Sequence, residues 1–189
     1  MPQTCIFPTL PFPDHEMADM NYTSFETDRL LLRPTIEEDA DFLLELMNTP
    51  KWHKYIGDRN VYSREQALTY IREKMQPQLE RLGFSNYTVI RKHDQQKVGT
   101  CGLYDREGLE GIDIGFSLLP AYEKQGYAFE AANRLKEAAI TDLGLTNINA
   151  ITTKTNLASQ NLLTKLGLRQ TGTRTVPGDE EELLFFELR

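Results

Sequence analysis

The chain has 189 residues, 40% hydrophobic and 26% charged, which is enough apolar content to bury a core and too much for a disordered chain. Its 21 basic and 28 acidic residues leave a net charge of −7; that argues against a nucleic-acid backbone binder and suits either an amine substrate or plain solubility. Twelve glycines and nine prolines exclude collagenous and low-complexity readings, while two distant cysteines (Cys5, Cys101) and three scattered histidines (His15, His53, His93) exclude a disulfide framework and a zinc cluster.

Residues 1–23 contain Pro2, Pro8, Pro11 and Pro13 and neither Lys nor Arg, so they read as an extended arm and not as a signal peptide. Phe7, Leu10 and Phe12 are its apolar anchors. Residues 24–189 are expected to form a single domain. Arg29 to Arg33 is a short apolar strand stopped by Pro34. Thr35 with Glu38 spells a capping box, followed at helical spacing by Ile36, Ala40, Leu43, Leu44 and Met47. Ser63 with Gln66 spells a second, opening a helix towards Gly83 that Pro77 kinks or divides.

Three strand-like runs follow, Phe84 to Arg91, Lys97 to Tyr104 and Ile112 to Leu118, joined by turns at 93–96 and 105–111 into an antiparallel meander. The next helix carries Tyr127, Ala131, Leu135, Ala138, Ala139 and Leu143, with Gly144 placed to end it. Asn147 to Thr153 reads as a strand, Ser159 to Leu166 as a helix ended by Gly167, and Leu168 to Val176 and Glu182 to Leu188 as two last strands. The order β-α-α-β-β-β-α-β-α-β-β predicts a mixed α/β sheet, mostly antiparallel, with helices on both faces. No apolar run reaches the roughly 20 residues that span a bilayer, and the cysteine usage suits the cytoplasm.

Two stretches carry chemistry. In IDIGFSLLPAYEKQGYAFEAA a strand ends at Pro120 and Gly126 stands where a helix begins. Bare backbone N–H groups at the positive end of a helix dipole form an anion site, although a glycine turn alone also explains Gly126. In KTNLASQNLLTKLGL, Asn156 and Ser159 open a second helix, and either serves equally well as a plain N-cap. Two such sites at consecutive strand ends would face each other across neighbouring parallel strands, where ligands of open α/β sheets bind.

With these stretches and the element order together, the chain resembles the GNAT superfamily of acyl-CoA-dependent N-acetyltransferases over roughly residues 25–189. The stretches TDRLLLRPTIEEDADFLLELMN, IGFSLLPAYEKQGYAFEA and NLASQNLLTKLGL are similar to the branch that includes the ribosomal-protein N-terminal alanine and serine acetyltransferases. The phosphate-loop signature, Gln/Arg-x-x-Gly-x-Gly/Ala, falls on Glu123 to Ala128; Gly126 and Ala128 match and Glu123 does not, which puts an acid beside the expected pyrophosphate.

The resemblance implies acetyl-CoA as acyl donor and a primary amine, a protein N-terminus or a small amine, as acceptor. It implies backbone pairing of Phe116 and Leu118 with the pantetheine arm. The N–H groups of Lys124, Gln125, Gly126, Tyr127 and Ala128 would hold the pyrophosphate, and Asn156 and Asn161 would contact the cofactor. The Phe116 N–H would stabilise the oxyanion and Ser159 would protonate the leaving thiolate. Trp52, His53 and Tyr55 would line the acceptor side. His53 and Asp113 are conceivable bases, each more simply read as a surface side chain. Glu37-Glu38-Asp39 and Asp179 to Glu182 read as solvated acidic faces. No metal, nucleic acid or membrane is expected, and the chain would be a monomer or homodimer. A non-catalytic CoA- or ligand-binding module, suggested by Glu123 and the lack of a clear base, and an assembly protein using its proline-rich arm are the competing readings.

Overall fold

A computed structural model describes residues 22–177 and 181–188; the expected arm, apart from Tyr22 and Thr23, lies outside the described residues. A two-residue strand β1 (Phe25–Glu26) pairs with β2 (Leu30–Pro34), which leads through one 3-10 turn into α1 (Ala40–Met47). Thr49 then caps α2 (Pro50–Tyr55), whose proline sits in the first turn, where its missing N–H costs nothing. Next come α3 (Arg64–Tyr70), a π-helical turn (Ile71–Met75) and α4 (Gln76–Leu82), which Gly83 ends at φ 78°.

The meander is β3 (Asn86–Arg91), β4 (Gln96–Tyr104) and β5 (Ile112–Leu118). It is followed by α5 (Tyr127–Thr141), β6 (Ile148–Thr152), α6 (Leu157–Lys165), β7 (Leu168–Arg174) and β8 (Leu183–Leu188). All the strands lie in one sheet of order β1-β2-β3-β4-β5-β6-β8-β7. Only β5 and β6 are parallel, because α5 carries the chain back across the sheet between them. The mixed, mostly antiparallel architecture expected from the sequence is the one observed.

The two faces of the sheet differ in chemistry. Leu32, Val89, Leu103, Ile114 and Ile148 pack against Ala131, Leu135 and Ala138 of α5 and Leu163 of α6 in the main core. Away from the register shift at Val89/Ile90, the residues alternating with them on β3, β4 and β5 are Asn86, Thr88, Thr100, Gly102, Tyr104, Asp113, Gly115 and Ser117, every one polar or glycine. The first helices hold their own cluster around Leu43, Leu46, Trp52, Ala67 and Ile71. Between them and the sheet lies a polar layer.

That layer explains where the sequence reading needs correction. Thr35 does not cap the first helix with Glu38: its hydroxyl lies 2.9 Å from that of Thr88 and accepts from Asn86 Nδ2 at 2.7 Å. The Ile36 N–H is taken instead by Asp39 at 3.0 Å. Asp39, expected on a solvated face, is wholly buried and binds Arg33 (2.7 and 2.8 Å), Lys97 (2.6 Å) and Thr88 (2.9 Å). Burial works to raise this carboxyl, yet those partners hold it below the ordinary Asp value.

Ser63 does accept from Gln66 N at 3.2 Å, while the Gln66 side chain reaches back to Tyr62 N, one residue short of a reciprocal box. The break expected at Pro77 is the π turn just ahead of it. Asp142 is the cap of α5, and Gly144 lies two residues further on, in the following turn.

Candidate active site

The parallel pair β5 and β6 is joined only at Ile112↔Ile148 and Asp113↔Asn149, after which the strands part. Asp113 stands at the fork: its Oδ1 accepts the Ile151 N–H at 3.3 Å, and Oδ2 takes both Nε and Nη2 of Arg106 at 3.0 and 2.7 Å. The Ile112 N–H goes to Asn147 O on the β6 side and the Leu119 N–H to Val98 O on the β4 side. By alternation, the N–H groups of Ile114, Phe116 and Leu118 face the parted side. A cavity of about 970 Å³ opens there.

At one end of the cavity is the loop that enters α5. Gly126 caps the helix at φ 86° and Lys124 is also left-handed at φ 59°, a conformation unfavourable for a side chain other than glycine. The N–H groups of the first turn, from Tyr127 on, have no intrahelical acceptor, and the positive end of a 15-residue helix lies behind them. Arg29 braces the loop: Nη1 donates to Gln125 O at 3.1 Å, Nε to Glu130 at 2.7 Å, and the guanidinium lies 4.5 Å from the Tyr127 ring centroid. Lys124, Gly126, Tyr127 and Ala128 line the cavity, as does Glu123, whose carboxylate is bound by Lys51 of α2.

The second helix N-terminus lies across the fork. Asn156 is the N-cap of α6, its Oδ1 accepting the Ser159 N–H at 3.2 Å, so its amide nitrogen is what remains for a ligand. Asn156, Ser159 and Asn161 all line the cavity.

The cavity is also lined by Trp52 and Tyr55 of α2 and by Ile56 just after it, with Thr100, Tyr104 and Asp113 from the polar face and Arg106 from the loop after β4. The Tyr104 hydroxyl donates to Asn86 Oδ1 at 2.6 Å. Its ring lies over Gly102 and Gly115, positions where a Cβ would collide with it. The Trp52 indole N–H is buried without a hydrogen-bond partner among the described residues. Asp113 is buried, not the solvated strand residue expected; burial outweighs Arg106 and pushes its carboxyl above the ordinary Asp value.

Residues 29–169 match the family described as an acetyltransferase (GNAT) domain, three quarters of the chain and all of the cavity lining except Leu183. The chain belongs to the GNAT acetyltransferase family. YoaA, an uncharacterized N-acetyltransferase of Bacillus subtilis, is 28% identical over 148 residues, 78% of this chain and 83% of its own length. A GNAT-family acetyltransferase structure from Bacillus anthracis shares the fold with a TM-score of 0.73 at 23% identity, over 88% of this chain and 98% of that one. So does a ribosomal-protein-S5-alanine acetyltransferase from Vibrio fischeri, with a TM-score of 0.70 at 18% identity over 87% and 95%. As a GNAT enzyme the chain is an acetyl-CoA-dependent N-acetyltransferase.

The residues present fit that donor, with a forked sheet whose parted edge is lined by backbone N–H groups and an N–H cradle at one end of a large cavity. Of the residues singled out in the sequence, the structure brings Phe116, Leu118, Lys124, Gly126, Tyr127, Ala128, Asn156, Ser159 and Asn161 to this GNAT cavity. Gln125 does not line it; its side chain donates to Ala121 O at 3.0 Å. Trp52 and Tyr55 line it and His53 does not. Sequence reasoning missed Arg29, Lys51, Tyr104 and Arg106, whose partners are set by tertiary contact; the glycines facing Tyr104 were the one available signal.

Proposed function

We propose that this GNAT enzyme transfers the acetyl group of acetyl-CoA to a primary amine, with a protein N-terminus as the first acceptor to test. The observation that carries this is the fork between β5 and β6, which opens onto one cavity running from the α5 loop to the aromatic wall of α2. Neighbours of the same fold include an acetyltransferase named for a ribosomal-protein alanine, which points to the N-terminal class. In this proposal a single domain, residues 24–189, holds both ends of the site, with residues 1–23 as a separate arm. It acts in the cytoplasm as a monomer or homodimer; among the described residues no helix is long and apolar enough to cross a membrane.

The bound donor supplies a thioester carbonyl. The backbone of Phe116 and Leu118 aligns the pantetheine arm, the N–H groups from Lys124 to Ala128 take the pyrophosphate, and Asn156 and Asn161 contact the cofactor from α6. The Phe116 N–H points at the developing oxyanion as the neutral amine attacks. One C–N bond forms and one C–S bond breaks; Ser159 gives its proton to the leaving sulfur, and the proton lost by the amine passes through water to restore the Ser159 hydroxyl. Asp113 is a poor base here, since Arg106 and the Ile151 N–H already occupy its two oxygens.

The test is mass-spectrometric acetylation of a peptide panel varied at the first residue, beside small amines, with the wild type and Ser159→Ala. The expected result is acetylation of N-terminal amines and a loss of about 100-fold in kcat for the variant. An unchanged kcat would remove Ser159 from the mechanism, and acetylation of small amines only would remove the N-terminal acceptor. The non-catalytic alternative drew on Glu123, whose charge Lys51 offsets.

A further inference from the structure

Glu123 stands at the lip of the α5 loop, and its carboxylate lines the same cavity as the N–H groups of Tyr127 and Ala128. An anion arriving at those N–H groups meets an acid. The acid has a partner from far away in the chain: Lys51 Nζ, 72 residues earlier on α2, binds Glu123 Oε2, and Lys51 also lines the cavity. The Lys51 side chain is 56% exposed and that of Glu123 is 23% exposed, so the cation is the member on the open side. The next residue along α2 is Trp52, with Tyr55 one turn further on, and both line the cavity.

We propose that Lys51 is a positioning residue of the cofactor loop: it neutralises Glu123, so that the loop accepts the pyrophosphate. The cation bound to Glu123 comes from α2 and not from the loop's own Lys124. This rests on the loop being the pyrophosphate site, as proposed above. Lys51 acts through Glu123 and not on the phosphate itself, which separates the proposal from an ordinary basic contact.

Calorimetric titration tests this without knowledge of the acceptor. Acetyl-CoA, and acetyl-pantetheine as a donor lacking the pyrophosphate, are titrated into wild type, Lys51→Ala, Glu123→Gln and the double variant, with thermal melts to check folding. Lys51→Ala is expected to weaken acetyl-CoA about fivefold, the scale of one unpaired carboxylate left near a dianion at the water-filled lip of the cavity, with the effect shrinking as salt is added. Acetyl-pantetheine is expected to bind Lys51→Ala and wild type alike. Glu123→Gln is expected to bind acetyl-CoA at least as tightly as wild type, and the double variant to match wild type. A double variant as weak as Lys51→Ala would overturn the proposal, because Lys51 would then act on the ligand directly; an unaffected Lys51→Ala would also overturn it. If wild type bound acetyl-CoA no better than acetyl-pantetheine, the loop itself would not be the pyrophosphate site.

Discussion

Gly102 is a position at which a single methyl group should disturb the polar face of the sheet. It pairs with Gly115 across β4 and β5, and the Tyr104 ring lies against both. A Cβ on Gly102 would fall on the Tyr104 Cζ and hydroxyl, and one on Gly115 would come within 3.0 Å of Cε2. The ring end is held, because its hydroxyl donates to Asn86 at 2.6 Å, and Asn86 is held by Thr35, which meets Thr88 and so Asp39. Gly102→Ala must therefore displace the ring and break that bond. Overpacking costs roughly 1–3 kcal/mol and the buried hydrogen bond about 1 kcal/mol, so the expected loss is about 2–3 kcal/mol. In a Tyr104→Ala background the new methyl meets neither ring atom, and its cost should fall below about 0.5 kcal/mol, giving a coupling near 2 kcal/mol. Urea denaturation of the four chains measures the cycle. Equal costs in both backgrounds would refute the locked ring.

Gly126→Ala places a side chain at φ 86° with its Cβ 3.3 Å from Arg29 Nη2; it should cost roughly 1–2 kcal/mol and weaken acetyl-CoA, read by thermal melts and calorimetry. Lys124→Gly, at φ 59°, should instead stabilise the fold by about 0.5–1 kcal/mol, and a loss of stability there would contradict the strain. The two buried carboxylates predict opposite pH dependences. The lowered carboxyl of Asp39 contributes stability above its unfolded value near 3.8, lost as pH falls through the folded value, so Asp39→Asn should flatten the acid limb. The raised carboxyl of Asp113 contributes its stability at low pH and loses it as pH rises from the ordinary Asp value near 3.8 through the folded value, so Asp113→Asn should remove a downward slope that begins above 3.8. Denaturation midpoints of the three chains across pH decide both.

Much of this fold was legible because it is punctuated locally. Gly83 and Gly167 end helices, the turns after Arg91 and Tyr104 close hairpins, and the apolar spacing of α5 marks one buried stripe. β1 was not, since two residues carry no alternation, and Pro50 after Thr49 was the overlooked sign of α2. The split of the α3–α4 rod was expected at Pro77, yet the π turn falls just before it. Among site residues, the glycine at the start of α5 and the Asn156 cap are local backbone demands and can be read from spacing. Asp39 and Asp113 looked alike as surface acids and Glu123 stood out as an acid beside the expected pyrophosphate; what the sequence did not give for any of them is the cation supplied by another element, namely Arg33 with Lys97, Arg106, and Lys51. No local pattern encodes those pairings.

The central claim is that the fork between β5 and β6 receives the acyl donor. A crystal structure of the coenzyme A complex tests it most directly. It should place the pantetheine arm along the backbone of Phe116 and Leu118, the pyrophosphate on the N–H groups at the start of α5, and the sulfur within hydrogen-bond reach of Ser159. Coenzyme A seated elsewhere, with β5 and β6 still parted and no ligand between them, would contradict it.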